Sequence, residues 1–157
     1  MSKYGIATIF GDYPVGYEFT TANLPLHLTH VDSFEIELGP QALADELAKA
    51  LLSHKQFSIK AVKDSYYGPE KDILVTELEL TPELIKLHTS IMAVLRAHGA
   101  ILKHPHLHNE SYRPHISVYG DRRVEVGDTL TISQLSIAVK VADTEDANRK
   151  ILATILL

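Results

Sequence analysis

An α+β fold is predicted for this chain by three observations. Two segments carry apolar residues at helical spacing, Gln41 to His54 and the stretch opened by Thr81. Seven others are short and rich in β-branched or alternating apolar residues, as strands are. Two of these strands are joined by KDSYYGPEK, whose glycine and proline mark a hairpin turn.

Taken in order, Tyr4 to Phe10 reads as a first strand, ended by Gly11 and Asp12, and a loop with Pro14, Gly16, Tyr13, Tyr17 and Phe19 follows. Leu26 to Leu38 alternates. Leu26, Leu28 and His30 project from one face, and His27, Thr29 and Val31 from the other, which places His30 in the core. Gly39 and Pro40 stop that strand, and Leu43, Leu47, Ala50 and Leu51 make the next segment an amphipathic helix. Phe57 to Val62 and Ile73 to Leu80 are the hairpin strands, with Tyr66 and Tyr67 on the turn between them. Thr81 is an N-cap with Pro82 at the first helical position. Leu84, Leu87, Ile91 and Leu95 line one face of that helix and Gly99 ends it. A histidine-rich loop from Lys103 to Ser111 leads to a strand closed by Gly120. Leu130 to Val141 alternates as one further strand; the tail 143–157 fits either helix or strand, and Arg149 to Leu156 is read as the return strand of a hairpin. No linker or short repeat interrupts the chain, so residues 1 to 157 are expected to form a single domain.

The composition narrows the function. No run approaches the roughly eighteen apolar residues of a membrane span, and the first ten residues lack the form of a secretory signal. Without cysteine there is no disulfide, thiolate metal site or thiol nucleophile, and a cytoplasmic location is expected. The net charge of −5 argues against tight binding along nucleic acid, which draws on many cationic contacts to phosphates. A small or terminal phosphate needs only a local positive pocket, which Arg113 or Lys63 could supply.

Two stretches repeat one phrase. LPLHLTHV (24–31) and YRPHISVY (112–119) each set a histidine, a branched aliphatic and a hydroxyl residue in succession: His27, Leu28, Thr29 and His115, Ile116, Ser117. With nine histidines in the chain, a His-x-Ser/Thr match by accident is expected, and His88, Thr89, Ser90 supplies one in the middle of a helix. On a strand, however, residues two apart share a face about 6.6 Å apart, so each phrase sets an imidazole beside a hydroxyl. Splitting a phosphodiester needs a base for the attacking oxygen and an acid for the leaving one, and histidine serves either role near neutral pH. Two hydroxyls can hold the non-bridging phosphoryl oxygens. The opposing reading, two half-buried strand histidines satisfied by neighbouring hydroxyls, fits the spacing equally well.

PLHLTHV and RPHISVY resemble the two signature motifs of the two-histidine phosphoesterases, the superfamily of bacterial 2'-5' RNA ligase-like proteins and cyclic phosphodiesterases. VTELELTPELIKLHTSIMAVLRAHG resembles the strand and helix that precede the second motif in that family, and the KDSYYGPEK hairpin has its counterpart there. The resemblance implies a bilobal fold, two antiparallel sheets each backed by a helix around a central cleft. It also implies cofactor-free, metal-free hydrolysis of nucleotide or RNA-terminal 2',3'-cyclic phosphates or 2'-5' linkages. On this chain His27 and His115 would be the acid and base, and Thr29 and Ser117 the phosphate binders, serine standing where the family often has threonine. A diester-cleaving enzyme also catalyses the reverse, so ligation is open.

Further candidate substrate contacts are Arg113 and Tyr119, which share strand parity with His115, and Tyr66 and Tyr67, which could stack on a base, as could the aromatics of loop 13–19. Two rival functions remain: a nucleotide-end binder without turnover, and a metal site at HPHLHNE (104–110), where His104, His106, His108 and Glu110 offer ligands. That loop lacks the spacing of the common zinc and cupin motifs, so it is expected to be a solvated rim of the cleft.

Overall fold

The structure, a computed structural model, describes residues 2–144 and 146–157. Its strands are β1 (Ser2–Ile9), β2 (Glu18–Phe19), β3 (His27–Ile36), β4 (Phe57–Tyr67), β5 (Ile73–Leu78), β6 (Ile101–Leu102), β7 (His115–Ser117), β8 (Thr129–Ile132), β9 (Gln134–Lys140) and β10 (Arg149–Leu156). Its helices are α1 (Pro40–Ala50) and α2 (Pro82–Ala97). They form two antiparallel sheets, six strands in the order β2-β10-β9-β1-β3-β6 and four in the order β7-β5-β4-β8. The fold is α+β, as the sequence predicts.

Strand alternation does the sorting. In β3 the side chains of Leu28 and His30 are buried while His27 and Thr29 remain half-exposed. In β7 Ile116 is buried between half-exposed His115 and Ser117. One apolar core joins the layers, taking Ile6 and Leu28 from the first sheet, Ile59 and Ile116 from the second, and Leu47 and Ile91 from the helices. Burying these faces together holds the two sheets in one arrangement, because each sheet alone would leave its apolar side in water.

Helix α2 begins as its sequence dictates. The Thr81 hydroxyl accepts from the Leu84 N–H at 3.3 Å, Pro82 occupies the first turn, and Gly99 leaves the helix at φ +69°.

Three local readings need correction. Leu130 to Val141 is not one strand: β8 pairs with β4 in the second sheet and β9 pairs with β1 in the first, so the chain crosses between sheets at Ser133. The buried positions move from even, at Ile132, to odd, at Leu135 and Ile137, across that crossing. Tyr66 and Tyr67 lie within β4, paired with Leu74 and Ile73, and the turn starts at Gly68. Part of loop 13–19 is strand β2, whose Phe19 is buried against Ile9 and Ile151, with Tyr13 packed on the same cluster.

Since Leu28 and Ile116 are the buried residues inside the two repeated phrases, at 0% and 1% exposure, Leu28→Ala or Ile116→Ala is expected to lower stability by about 2–5 kcal/mol in urea denaturation.

Candidate active site

The two phrases come from different sheets and meet because β3 and β7 lie against one another. Both are anchored in the same manner. The carbonyl immediately before each histidine enters a sheet ladder: Leu26 O accepts from Phe10 N–H and Pro114 O from Leu78 N–H, each at 2.9 Å. The carbonyl one residue further back accepts from the imidazole. His27 Nδ1–H donates to Pro25 O at 2.9 Å and His115 Nδ1–H donates to Arg113 O at 2.8 Å. A carbonyl can only accept, so the proton of each neutral ring sits on Nδ1 and Nε2 carries a lone pair. Burial disfavours the charged rings and holds both histidines below their ordinary pKa, against the opposing pull of those carbonyls. The positive charge of a protonated His115 also disfavours protonation of His27, so the two rings lie within electrostatic reach.

Tyr119 ties the halves together. Its ring stacks on His27 with centroids 6.4 Å apart, and its hydroxyl lies close enough to Ser117 to feel it electrostatically. Gly120, at φ +66°, allows the tight turn that brings Arg122 back beside Tyr119, its guanidinium 5.5 Å from the ring. Arg122 also donates to Leu24 O at 2.7 Å, across to the loop before β3.

An open cleft of about 930 Å³ runs over the first sheet, with His27, Thr29 and Tyr119 in its lining and Lys3, Lys103 and Arg149 further along. Its lining does not include His115 and Ser117, which stand on the second sheet. The structure therefore brings His27, Thr29 and Tyr119 to one cavity, and sets His115 beside it.

The other candidates divide. Tyr67 packs edge-on against His115 with centroids 4.6 Å apart, and the Arg113 guanidinium covers the Tyr67 ring at 4.7 Å. Tyr66, of opposite parity, is 61% exposed. Arg113 and Lys63 both reach Glu77, at 2.9 and 3.4 Å. Neither repeated phrase points to Glu77, although an acid inside the apolar run ILVTEL is a signal of its own.

The histidine-rich loop turns inward. His108 is buried and donates to Asp32 at 2.9 Å, and His104 bonds the other oxygen of the same carboxylate. Burial raises the Asp32 pKa, but these two bonds outweigh it and keep the group below its usual range. His88 accepts from Asn109 N–H at 2.9 Å and stacks on Tyr112, whose hydroxyl donates to Thr29 O at 2.9 Å. The expectation of a solvated rim is thus corrected for His104 and His108, because Asp32 on β3 draws them in; His106 remains exposed. Among the described residues no group of three or more His, Asp or Glu is placed to hold a metal ion. No helix among them is long and apolar enough to cross a membrane.

The model of the 2'-5' RNA ligase superfamily matches residues 12–133, most of the chain. The chain belongs to that superfamily. These are the two-histidine phosphoesterases whose motifs the sequence resembles. No curated protein matches the sequence. Among solved structures, E. coli LigT complexed with 3'-AMP is 14% identical, with a TM-score of 0.58 over 99% of this chain and 98% of that one. The protein TT0787 of Thermus thermophilus is 12% identical, with a TM-score of 0.63 over 99% and 97%. A protein described as a phosphoesterase is 12% identical, with a TM-score of 0.59 over 99% and 98%. At such identities the likeness is one of fold. For this superfamily member it supports the two-sheet arrangement described above.

NMR detection of the imidazole nitrogens is expected to find His27 and His115 in the Nδ1–H tautomer at neutral pH, each titrating below 6.5 because burial opposes the charged form. An Nε2–H tautomer at either ring would contradict the anchoring bonds.

Proposed function

We propose that this superfamily member is a metal-independent phosphodiesterase that opens nucleotide or RNA-terminal 2',3'-cyclic phosphates, or cleaves 2'-5' linkages, with His27 and His115 as acid and base. The observation that carries this reading is the matched anchoring of the two rings. Each imidazole presents an Nε2 prepared to take or give a proton, and the strands that bear them face each other. A burial role alone does not require both rings to hold the same tautomer.

Thr29 and Ser117 stand two residues after their histidines on the same strand faces, where their hydroxyls can donate to the non-bridging oxygens of a phosphoryl group. The adjoining cleft has room for a nucleoside. Tyr119 in its wall is the best placed of the aromatics to meet a base or sugar, whereas Tyr67 and Arg113 are occupied with each other and with Glu77. Tyr66 contacts only a ligand that extends out over β4. The net charge of −5 favours a small nucleotide or an RNA end over a long duplex. LigT has been seen with 3'-AMP and with ATP, ligands of the size this reading requires. The same groups would catalyse diester formation, and the direction in the cell is a matter of equilibrium. We place the activity in the cytoplasm, consistent with a chain that has no cysteine.

The test is incubation in excess EDTA with nucleoside 2',3'-cyclic phosphates, 2'-5' and 3'-5' dinucleotides, and an oligonucleotide ending in a cyclic phosphate. Turnover is expected on at least one, with losses of about 10²-fold or more for His27→Ala and for His115→Ala. Thr29→Ala and Ser117→Ala are expected to lose about 10²-fold each. Survival of every substrate, or full activity in either histidine variant, overturns the reading.

A further inference from the structure

We propose that Glu77 is the positioning residue for His115 and makes that histidine the proton donor to the leaving oxygen, leaving His27 as the base. The inference rests on the phosphodiesterase reading and assigns its two halves.

Glu77 sits directly opposite His115 in the β5–β7 ladder. It is 8% exposed, and its carboxylate gathers four donors: Tyr67 OH and Arg113 Nη2 on Oε1, each at 2.9 Å, Ser65 on Oε2, and the Lys63 ammonium at 3.4 Å. Two of those donors also hold His115. Arg113 accepts the imidazole Nδ1–H at its carbonyl, 2.8 Å away, and the Tyr67 ring packs edge-on against the imidazole with centroids 4.6 Å apart. One buried carboxylate therefore holds the Tyr67 ring that packs on the imidazole and ties down the side chain of Arg113, whose carbonyl receives the imidazole N–H.

The charges around the two histidines differ. Facing His115 are Glu77 from β5, Tyr67 from β4, its own neighbour Arg113 and, across the site, His27; Lys63 reaches this group through Glu77. Burial tends to raise the Glu77 pKa, but bonds from Ser65, Arg113 and Tyr67 reverse this and hold it at about 2, so the group is an anion at any working pH. Tyr67 is pushed up to about 12, first by burial and then by Glu77, and is neutral. The pull of Glu77 on the His115 proton exceeds the push of Arg113. Facing His27 are His115, Arg149 and the neutral Tyr119 ring, and both charged neighbours repel a proton. A single proton shared between the rings is thus held at His115.

In the forward step, His27 Nε2 takes a proton from water as the water oxygen bonds to phosphorus. The bond from phosphorus to one ribose oxygen breaks, and that oxygen receives the proton from His115 Nε2. Exchange with solvent then returns His27 to neutral and His115 to the protonated state.

The experiment is imidazole titration by NMR on the free protein, with kcat/KM against pH on whichever cyclic phosphate is cleaved, for wild type, Glu77→Gln and Glu77→Asp. Wild-type His115 is expected to titrate at higher pH than His27. Glu77→Gln is expected to lower the His115 midpoint, and with it the alkaline limb of the rate profile, by about one pH unit or more. The acid limb and the His27 midpoint stay in place, and kcat falls more than KM rises. Glu77→Asp, which keeps the charge, restores most of the shift. A wild-type His27 midpoint above that of His115, or a His115 midpoint unmoved in Glu77→Gln, overturns the assignment. The wild-type ordering needs neither variant nor substrate, so it can overturn the assignment even where Glu77→Gln does not fold, and Glu77→Asp then tests the part played by Glu77. Failure of turnover, by contrast, sinks the phosphodiesterase reading itself.

Discussion

Each imidazole of the candidate site is tied through Nδ1–H to the carbonyl two residues before it, and the chemistry proposed for the site depends on that bond. It selects one tautomer and limits ring rotation. The carbonyl one residue closer is already committed to a sheet ladder in both phrases. Local backbone geometry therefore sets the tautomer of each ring, and the fold brings the two strands against one another. A group so anchored loses little freedom on meeting a substrate, which is what efficient proton transfer asks of it.

Bringing the strands together falls to the core and to a few cross-links. The buried residues between each histidine and hydroxyl, Leu28 and Ile116, point into one continuous apolar cluster, so the core and the candidate site occupy two faces of the same strands. At one end Tyr112 OH grips the Thr29 carbonyl, and at the other Arg122 grips the Leu24 carbonyl. The histidine-rich loop belongs to this scaffolding. Through Asp32 it binds to β3, and through His88 it braces Tyr112. Histidine suits the task because a neutral ring offers one donor and one acceptor in a flat, packable shape.

The negative charge of the whole chain coexists with a site surrounded by cations because those cations are locally placed. Arg113 and Lys63 converge on Glu77, while Arg149 and Lys103 line the cleft. A phosphate entering the site would meet this local field and not the average one, since charges beyond about 10 Å are screened by salt.

Most elements, and both halves of the candidate site, are legible in the chain read residue by residue. Binary alternation sorts His27 and Thr29 from Leu28 and His30, and capping chemistry at Thr81 and Pro82 places α2, because these signals act between near neighbours. The tail fits either helix or strand when read alone, and pairing with β9 makes Arg149–Leu156 a strand. Sheet membership is a matter of long-range packing. The crossing at Ser133 sends β8 and β9 apart, and the polar residues there do not reveal which partner each strand will find. Glu77 opposite His115, Asp32 between His104 and His108, and Tyr119 stacked on His27 are likewise meetings of residues far apart in the chain. Such contacts follow from the shared burial of two apolar faces, a property of the whole chain and not of any short stretch within it.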